Sequence, residues 1–485
     1  MSRFNFKVIL SILGLLLTIN GLFMLLALPF TLYYGEDLKP IVLASTITIL
    51  AGLPVWLLPR KSADRELKRR DGYIVVTLGW VIMSFFGTLP YILSGTIPDL
   101  TNAFFETMSG YTTTGASILT DIEALPKGIL VWRSLTQWMG GMGIIVLAVA
   151  ILPMLGIGGM QLFVAEAPGI TPDKLKPRIK DTAKRLWIIY VGLTALEAIL
   201  LMFGGMNFFE AINHSLTTMA TGGFSPKNSS IAHYSSAYIQ YTITLFMFLA
   251  GTSFTLTYFM LKRQFKKVFS NEEFVTYVGF LLLATVLITG FVHFSSDQPF
   301  ELSFRETLFQ VVSIVTTTGF VSEDYTSWTP LITMAFFALM FIGGSAGSTA
   351  GGIKIVRHII LFKNSFLEMK RQLHPSAIIP VRFNQTAVDR SITYNVLAFI
   401  IIYFLIFSLG SIMMAWVGLD FKSALGSVAT SLGNIGPGVG SVGPVDNFSH
   451  IPSVGKWILT FLMLLGRLEL FTVMILFTPF FWKSN

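Results

Sequence analysis

Four short stretches combine small, hydroxylated and glycine residues in a way that can present backbone oxygen to a cation. They are Thr112-Thr113-Thr114-Gly115, Ala220-Thr221-Gly222-Gly223, Thr316-Thr317-Thr318-Gly319 and Gly433-Asn434-Ile435-Gly436. Aligning them on the last glycine brings the upstream residues into register. Twelve residues earlier stand Ala103, Ala211, Thr307 and Ala424, and six earlier stand Ser109, Thr217, Ser313 and Thr430. Fifteen earlier stand Leu100, Phe208, Phe304 and Phe421. Each turn follows some ten to twelve fairly apolar residues, too few to span a bilayer, which read as a re-entrant or buried helix. A helix ending at mid-membrane aims its partly negative carbonyl end at the centre. A glycine beyond it permits positive φ and lets successive carbonyls turn toward one axis. Rings of carbonyl oxygen replace the hydration shell of a potassium ion, and no carboxylate ring is needed. None stands in these turns. A single Thr/Gly turn reads as an ordinary loop; four in register do not.

The elements that position such turns must lie in lipid. The 485 residues are 53% hydrophobic and only 12% charged, and the apolar residues come in runs of membrane-spanning length. Ten spans are expected, with cores at 8–32, 41–58, 73–93, 129–155, 186–203, 238–261, 274–292, 331–361 (interrupted), 395–417 and 454–478. The first run follows Arg3 and Lys7 like a signal peptide, but it is long and lacks a small-residue cleavage site, so it reads as a retained helix. Basic residues cluster after the even-numbered spans. They are Arg60, Lys61, Arg65 and Lys68-Arg69-Arg70; Lys174, Lys176, Arg178, Lys180, Lys184 and Arg185; Lys262, Arg263, Lys266 and Lys267; and Lys363, Lys370, Arg371, Arg382 and Arg390. That side is expected to be cytoplasmic, with both termini inside. Topology accounts for the net charge of +8 without nucleic acid, and docking of a cytosolic partner on the basic face is a further reading. The absence of Cys excludes disulfides and thiolate chemistry.

The expected fold is an all-α polytopic membrane protein. Four tandem helix–pore loop–helix repeats surround a central pore, preceded by two extra transmembrane helices. The divisions are 1–70 for the two extra helices and a basic loop, then 71–170, 171–270, 271–385 (second helix interrupted) and 386–485 for the repeats.

Gly343-Gly344-Ser345-Ala346-Gly347-Ser348-Thr349-Ala350-Gly351-Gly352 interrupts the eighth span. Each interior glycine costs a helix about 1 kcal/mol against alanine, and irregular backbone at membrane depth needs protein or water around it. The run reads as a loop crossing the pore below the turns, or more blandly as a helix-packing face. A nucleotide-binding loop is ruled out because Ile353, not Lys, follows Gly352. Arg467 stands near the middle of the last span, where a charge must face the pore or a partner. It reads as a positive barrier to permeating cations, or as half of a structural pair with Glu469 or another buried group. Lys354 either belongs to this loop or begins the cytoplasmic cluster. Asp99, Asp121, Glu123, Asp297, Glu301, Glu323 and Asp324 make the outer side acidic in places. No histidine cluster suits a metal; His214 reads as a packed polar residue, and Gly140-Gly141-Met142-Gly143 as a close-packing stretch.

Trp132-Arg133, Gln137-Trp138, Gly140-Gly141 and Gly143 resemble the first inner helix of the K⁺ transporter superfamily that includes Trk, Ktr and HKT, and Met463-Leu464-Leu465-Gly466-Arg467-Leu468-Glu469 resembles its last. Two spans ahead of the first repeat bring the likeness nearest to the membrane subunits of bacterial Trk systems. The resemblance implies a selectivity filter at the four turns, a gate at the glycine loop and a barrier role for Arg467. Serine at the first filter glycine goes with sodium permeation in related proteins, so Gly115 implies potassium. The fourth turn departs from Thr-Thr-Gly and is expected to be the least regular. The resemblance further implies a homodimer with one pore per subunit, a bacterial inner-membrane location, and a cytosolic nucleotide-binding regulatory subunit of the TrkA type. No cofactor is expected on this chain beyond K⁺ as permeant ion at the filter carbonyls.

Two transport mechanisms are weighed. A secondary carrier coupling K⁺ to H⁺ or Na⁺ calls for two symmetric halves and buried acidic residues. Here the repetition is fourfold and Glu469 reads as the main deep-membrane carboxylate, which favours a gated, channel-like pore. Without a catalytic cluster, an enzyme is not expected.

Overall fold

The structure is a computed structural model that describes residues 4–57, 69–146, 179–296, 298–377 and 379–483. Helices occupy the segments expected from the sequence. The first three are α1 (Phe6–Tyr33), α2 (Lys39–Leu57) and α3 (Arg70–Leu93). The first repeat continues with the short α4 (Leu100–Tyr111) and then α5 (Lys127–Val146). The part of the fourth span beyond residue 146 lies outside the described residues, as do Arg60, Lys61, Arg65, Lys68, Lys174, Lys176, Arg178 and Asp297.

The second repeat holds α6 (Lys184–Phe203), α7 (Phe208–Met219), α8 (Ala237–Ala250) and α9 (Phe254–Leu261). The third holds α10 (Glu272–Ser295), α11 (Phe300–Val315), α12 (Pro330–Leu339) and α13 (Ile355–Leu373). A two-residue hairpin pairs β1 (Arg382–Phe383) with β2 (Thr386–Ala387) before the fourth repeat. That repeat holds α14 (Arg390–Val417), α15 (Phe421–Gly433), α16 (Ser453–Arg467) and α17 (Phe471–Phe477). The protein is therefore an all-α polytopic membrane protein with four helix–loop–helix repeats after two extra helices.

Burial follows the demands of lipid. The outer helices leave large apolar side chains exposed, among them Val286 on α10 and Ile401 and Ile412 on α14. In the short helices the reverse holds: every residue of α4 from Ala103 to Tyr111 is buried, hydroxyls included. Polar groups can be tolerated at this depth because protein, not hydrocarbon, surrounds them.

Two spans expected to be continuous are broken. The sixth bends by 111° between α8 and α9, and the tenth by 110° between α16 and α17. At the first break, Gly251-Thr252-Ser253 ends the helix, and the freed carbonyls of Ala250 and Gly251 accept hydrogen bonds from the glycine-rich loop of the third repeat. At the second, Glu469 and Leu470 take φ of 56° and 53°. The eighth span is interrupted as expected, with the loop joining α12 to α13.

The two extra helices cross with their backbones nearly in contact. A Cβ added to Gly52 would stand 2.7 Å from the Thr18 nitrogen and 2.8 Å from the Gly14 oxygen. Ser45 adds a hydroxyl bond to the Gly21 carbonyl at 2.7 Å. Such an approach leaves no room for a side chain. Gly52→Leu is expected to destabilise the fold by about 1–3 kcal/mol, read as a lower thermal midpoint of the purified protein in detergent. An unchanged midpoint would mean that the crossing is not tightly packed.

Candidate functional site

Three of the four short helices start on side chains placed to satisfy their free N–H groups. Asp99 accepts from Asn102 N at 2.9 Å, Asn207 from Glu210 N at 2.8 Å, and Asp420 from Ser423 N at 3.3 Å. All three stand sixteen residues before the final glycine of their repeat. The third helix starts earlier, after Pro299, and Ser303 at the matching place lies inside it.

The far ends of the helices are built alike. The N–H of the residue before each final glycine donates to the carbonyl six residues before that glycine. These bonds are Thr114 to Ser109 at 2.9 Å, Gly222 to Thr217 at 2.9 Å, Thr318 to Ser313 at 2.9 Å and Ile435 to Thr430 at 3.0 Å. The backbone is left-handed at alternate residues: Thr113 and Gly115 at φ 51° and 81°, Thr221 and Gly223 at 52° and 76°, Thr317 and Gly319 at 55° and 78°, and Asn434 and Gly436 at 54° and 105°. The fourth turn, expected to be the least regular, keeps both left-handed positions, with its glycine at the widest angle. Asparagine tolerates that conformation.

The turns also meet one another. A Cβ on Gly115 would run into the Gly222 carbonyl oxygen, one on Gly223 into that of Thr318, and one on Gly319 into that of Ile435. A Cβ on Gly436 would stand 2.9 Å from the Thr114 oxygen, which returns to the first turn. The succession is closed, so the turns form a ring. All four final glycines line one cavity of about 90 Å³, together with Arg133, Lys227 and Asp446.

Side chains behind the ring hold it. Asn434 Nδ2 donates to Thr114 Oγ1 at 3.0 Å and to the Met463 carbonyl at 2.9 Å. Gln137 Nε2 donates to the Gly222 carbonyl at 2.6 Å, while its Oε1 accepts from Phe224 N at 3.0 Å. Arg133 pairs with Glu106 at 2.7 Å, bonds the Ser225 carbonyl at 3.1 Å and lies 3.5 Å from the centre of the Phe224 ring. Glu106 also accepts from Ile118 N at 2.9 Å, so its charge is fully engaged. His214 is packed, with ring nitrogens at 2.8 Å from the Glu210 carbonyl and 3.0 Å from Ser225 Oγ. Gly140 and Gly141 do serve close packing, against Tyr111 and Ala220 at the ends of α4 and α7.

The loop from Gly343 to Gly352 runs beside these turns in irregular backbone, with Ser345, Ser348, Thr349 and Ala350 buried. Ser345 N donates to the Gly251 carbonyl at 2.9 Å, and Thr349 Oγ1 to the Met219 carbonyl at 3.0 Å. Gly351 N donates to Thr317 Oγ1 of the third turn at 2.6 Å. A Cβ on Gly351 would stand 2.6 Å from the Gly433 oxygen. Arg467, 1% exposed, donates through Nη1 to the Thr349 carbonyl at 2.8 Å and through Nη2 to the Gly140 carbonyl at 3.1 Å. The structural pair with Glu469 does not form: Glu469 binds Arg357 at 2.5 Å, and among the described residues no ion pair involves Arg467. Lys354 is buried and donates to the Ala350 carbonyl, so it belongs with the loop.

Glu469 is not the main buried carboxylate: its side chain is 36% exposed, whereas Glu106, Glu197 and Glu273 are buried. Most acidic residues of the outer side have local partners. Asp99 caps a helix, Asp121 accepts from Asn228 Nδ2 at 3.0 Å, Glu123 lies 3.6 Å from Lys227, and Glu301 lies 3.3 Å from Arg305. Among the described residues no group of three His, Asp or Glu could hold a metal ion.

The chain is similar to known proteins over nearly its whole length. The family model described as "TrkH: Cation transport protein" matches residues 38–484. The "Trk system potassium uptake protein TrkH" of Halomonas elongata is 39% identical, over 99% of this chain and 100% of that one. Its Escherichia coli namesake is 40% identical over the same shares. The crystal structure of the potassium transporter TrkH from Vibrio parahaemolyticus superposes with a TM-score of 0.90 at 35% identity, covering 99% of this chain and 100% of that chain. The chain belongs to the TrkH family of cation transport proteins.

Proposed function

We propose that this protein takes up potassium across the bacterial inner membrane through a gated, channel-like pore. Thr112–Gly115, Ala220–Gly223, Thr316–Gly319 and Gly433–Gly436 form its filter. The cargo is that named for the relatives. The observation that carries the reading is the closed succession of glycine against neighbouring carbonyl through all four turns. A ring of backbone oxygen with no carboxylate suits a dehydrated monovalent cation. The exposed Lys262, Arg263, Lys266 and Lys267 give the inner face a basic surface for a cytosolic nucleotide-binding subunit of the TrkA type. Two copies, each with its own pore, complete the proposed assembly, and the divisions at 70, 170, 270 and 385 are its working units. Coupled carriage finds less support at Glu106, whose carboxylate is tied by an arginine and a backbone N–H.

The loop from Gly343 to Gly352 is the proposed gate and Arg467 its latch. The guanidinium brings a positive charge to the ion path and ties the loop to α5 through two carbonyls. A cation arriving from the ring meets both the loop backbone and that charge.

Flux into liposomes that contain only this chain tests the pore. Gradients of K⁺ and Rb⁺ are expected to drive passive flux well above that of Na⁺ and Li⁺, without a proton gradient. Flux that needs an imposed proton or sodium gradient would make the protein a coupled carrier. In the same assay Gly115→Ser, which pushes a side chain against the Gly222 carbonyl, is expected to lower the K⁺/Na⁺ ratio roughly tenfold, equivalent to about 1.4 kcal/mol between the two ions.

Deleting residues 345–351, or replacing Arg467 by Ala, is expected to raise K⁺ flux roughly tenfold, the scale set by loss of hydrogen bonds to a charged group. A folded variant with unchanged flux would remove the loop, or the arginine, from gating.

A further inference from the structure

We propose that the first turn of α10 is a clamp that positions the glycine-rich loop from its cytosolic side, with Glu273 as the positioning residue. The inference rests on the reading of that loop as the gate. Glu273 is 1% exposed, and its Oε1 accepts a hydrogen bond from Ala346 N at 2.8 Å. A backbone N–H held by a buried carboxylate is a strong, charge-assisted contact. The adjacent Glu272 grips the chain after it has left the loop. It accepts from Lys363 Nζ on α13 and from Asn384 N in the hairpin at 3.1 Å, while Asn384 Oδ1 accepts from Glu272 N at 2.8 Å. Lys363 also donates to the Arg382 carbonyl at 2.9 Å. The turn is itself fixed, since Asn271 caps Phe274 N at 3.0 Å.

One helical turn therefore holds the loop where it starts across and the helix that carries it out again. Among the described residues the other outside anchors of the loop, Gly251, Ala250, Phe254, Met219, Thr317 and Arg467, are buried among the repeats. Glu272, by contrast, keeps 32% of its side chain exposed. A displacement of this turn from the cytosolic surface is transmitted to Ala346 through the neighbouring carboxylate. The two residues thus give a docked partner mechanical access to the gate.

The chain has no cysteine, so Ser345→Cys supplies a single thiol in the loop at a residue whose hydroxyl has no hydrogen-bond partner. In liposomes that contain this variant, two quantities are read: the rate of thiol modification by a membrane-impermeant reagent, and passive K⁺ flux. Glu273→Ala is expected to raise both together, roughly tenfold, with the K⁺/Na⁺ ratio unchanged. Glu273→Gln, which keeps an acceptor oxygen, is expected to restore most of the original behaviour. If Glu273→Ala leaves both unchanged while loop deletion still raises flux, the clamp is overturned and the gate stands. If thiol modification quickens without a change in flux, the clamp stands and the gate reading fails. Should Glu273→Ala not fold, Lys363→Met releases the outer half of the clamp; a joint rise supports the clamp, and unchanged rates overturn it.

Discussion

A glycine that lacks a Cβ lets each of the four turns come against the carbonyl oxygen of the next, and the centre of the molecule depends on that contact. The left-handed φ of Gly115, Gly223, Gly319 and Gly436 already disfavours a side chain. The neighbouring oxygen excludes one sterically as well. Both constraints act at all four sites, so the ring tolerates very different residues elsewhere in the turns. Thr114, Gly222, Thr318 and Ile435 occupy the same place and offer the same carbonyl.

Irregular backbone at this depth must find hydrogen bonds within the protein. The breaks in the second halves of the repeats supply them to one another. The bend after α8 frees the Ala250 and Gly251 carbonyls, and the loop between α12 and α13 brings the N–H groups that use them. The end of α16 places Arg467 across the same loop, and the carboxylate of Glu469 turns away to Arg357. Loop and ring are thus physically continuous, since Gly351 bonds the Thr317 hydroxyl of the third turn.

Much of this was legible in the sequence because it repeats. Aligning the glycines located the turns, the short helices and the spans around them, and the Gly-rich run announced the eighth-span interruption. The helix caps at Asp99, Asn207 and Asp420 were equally readable, since Asp and Asn stand at one spacing from the glycine. What escaped was set by distant partners. Glu106 and Glu273 are at home in the membrane because Arg133 and the Ala346 N–H reach them from other segments. The pairing of Arg467 with Glu469 looked natural at a separation of two, but residues so spaced do not face each other on a helix. The helix also ends at Arg467. The bend there falls at Leu468-Glu469-Leu470, residues with no breaker signal.

Diffraction from crystals grown in Rb⁺ in place of K⁺ tests the ring most directly, because the anomalous signal of Rb⁺ marks the ion itself. Coordination by the four turns requires a peak on their common axis, within contact distance of backbone oxygens from all four repeats, which weakens when Na⁺ replaces Rb⁺. Rb⁺ bound instead at carboxylates such as Glu197 or Glu273, with nothing on the axis, would contradict a backbone-carbonyl filter.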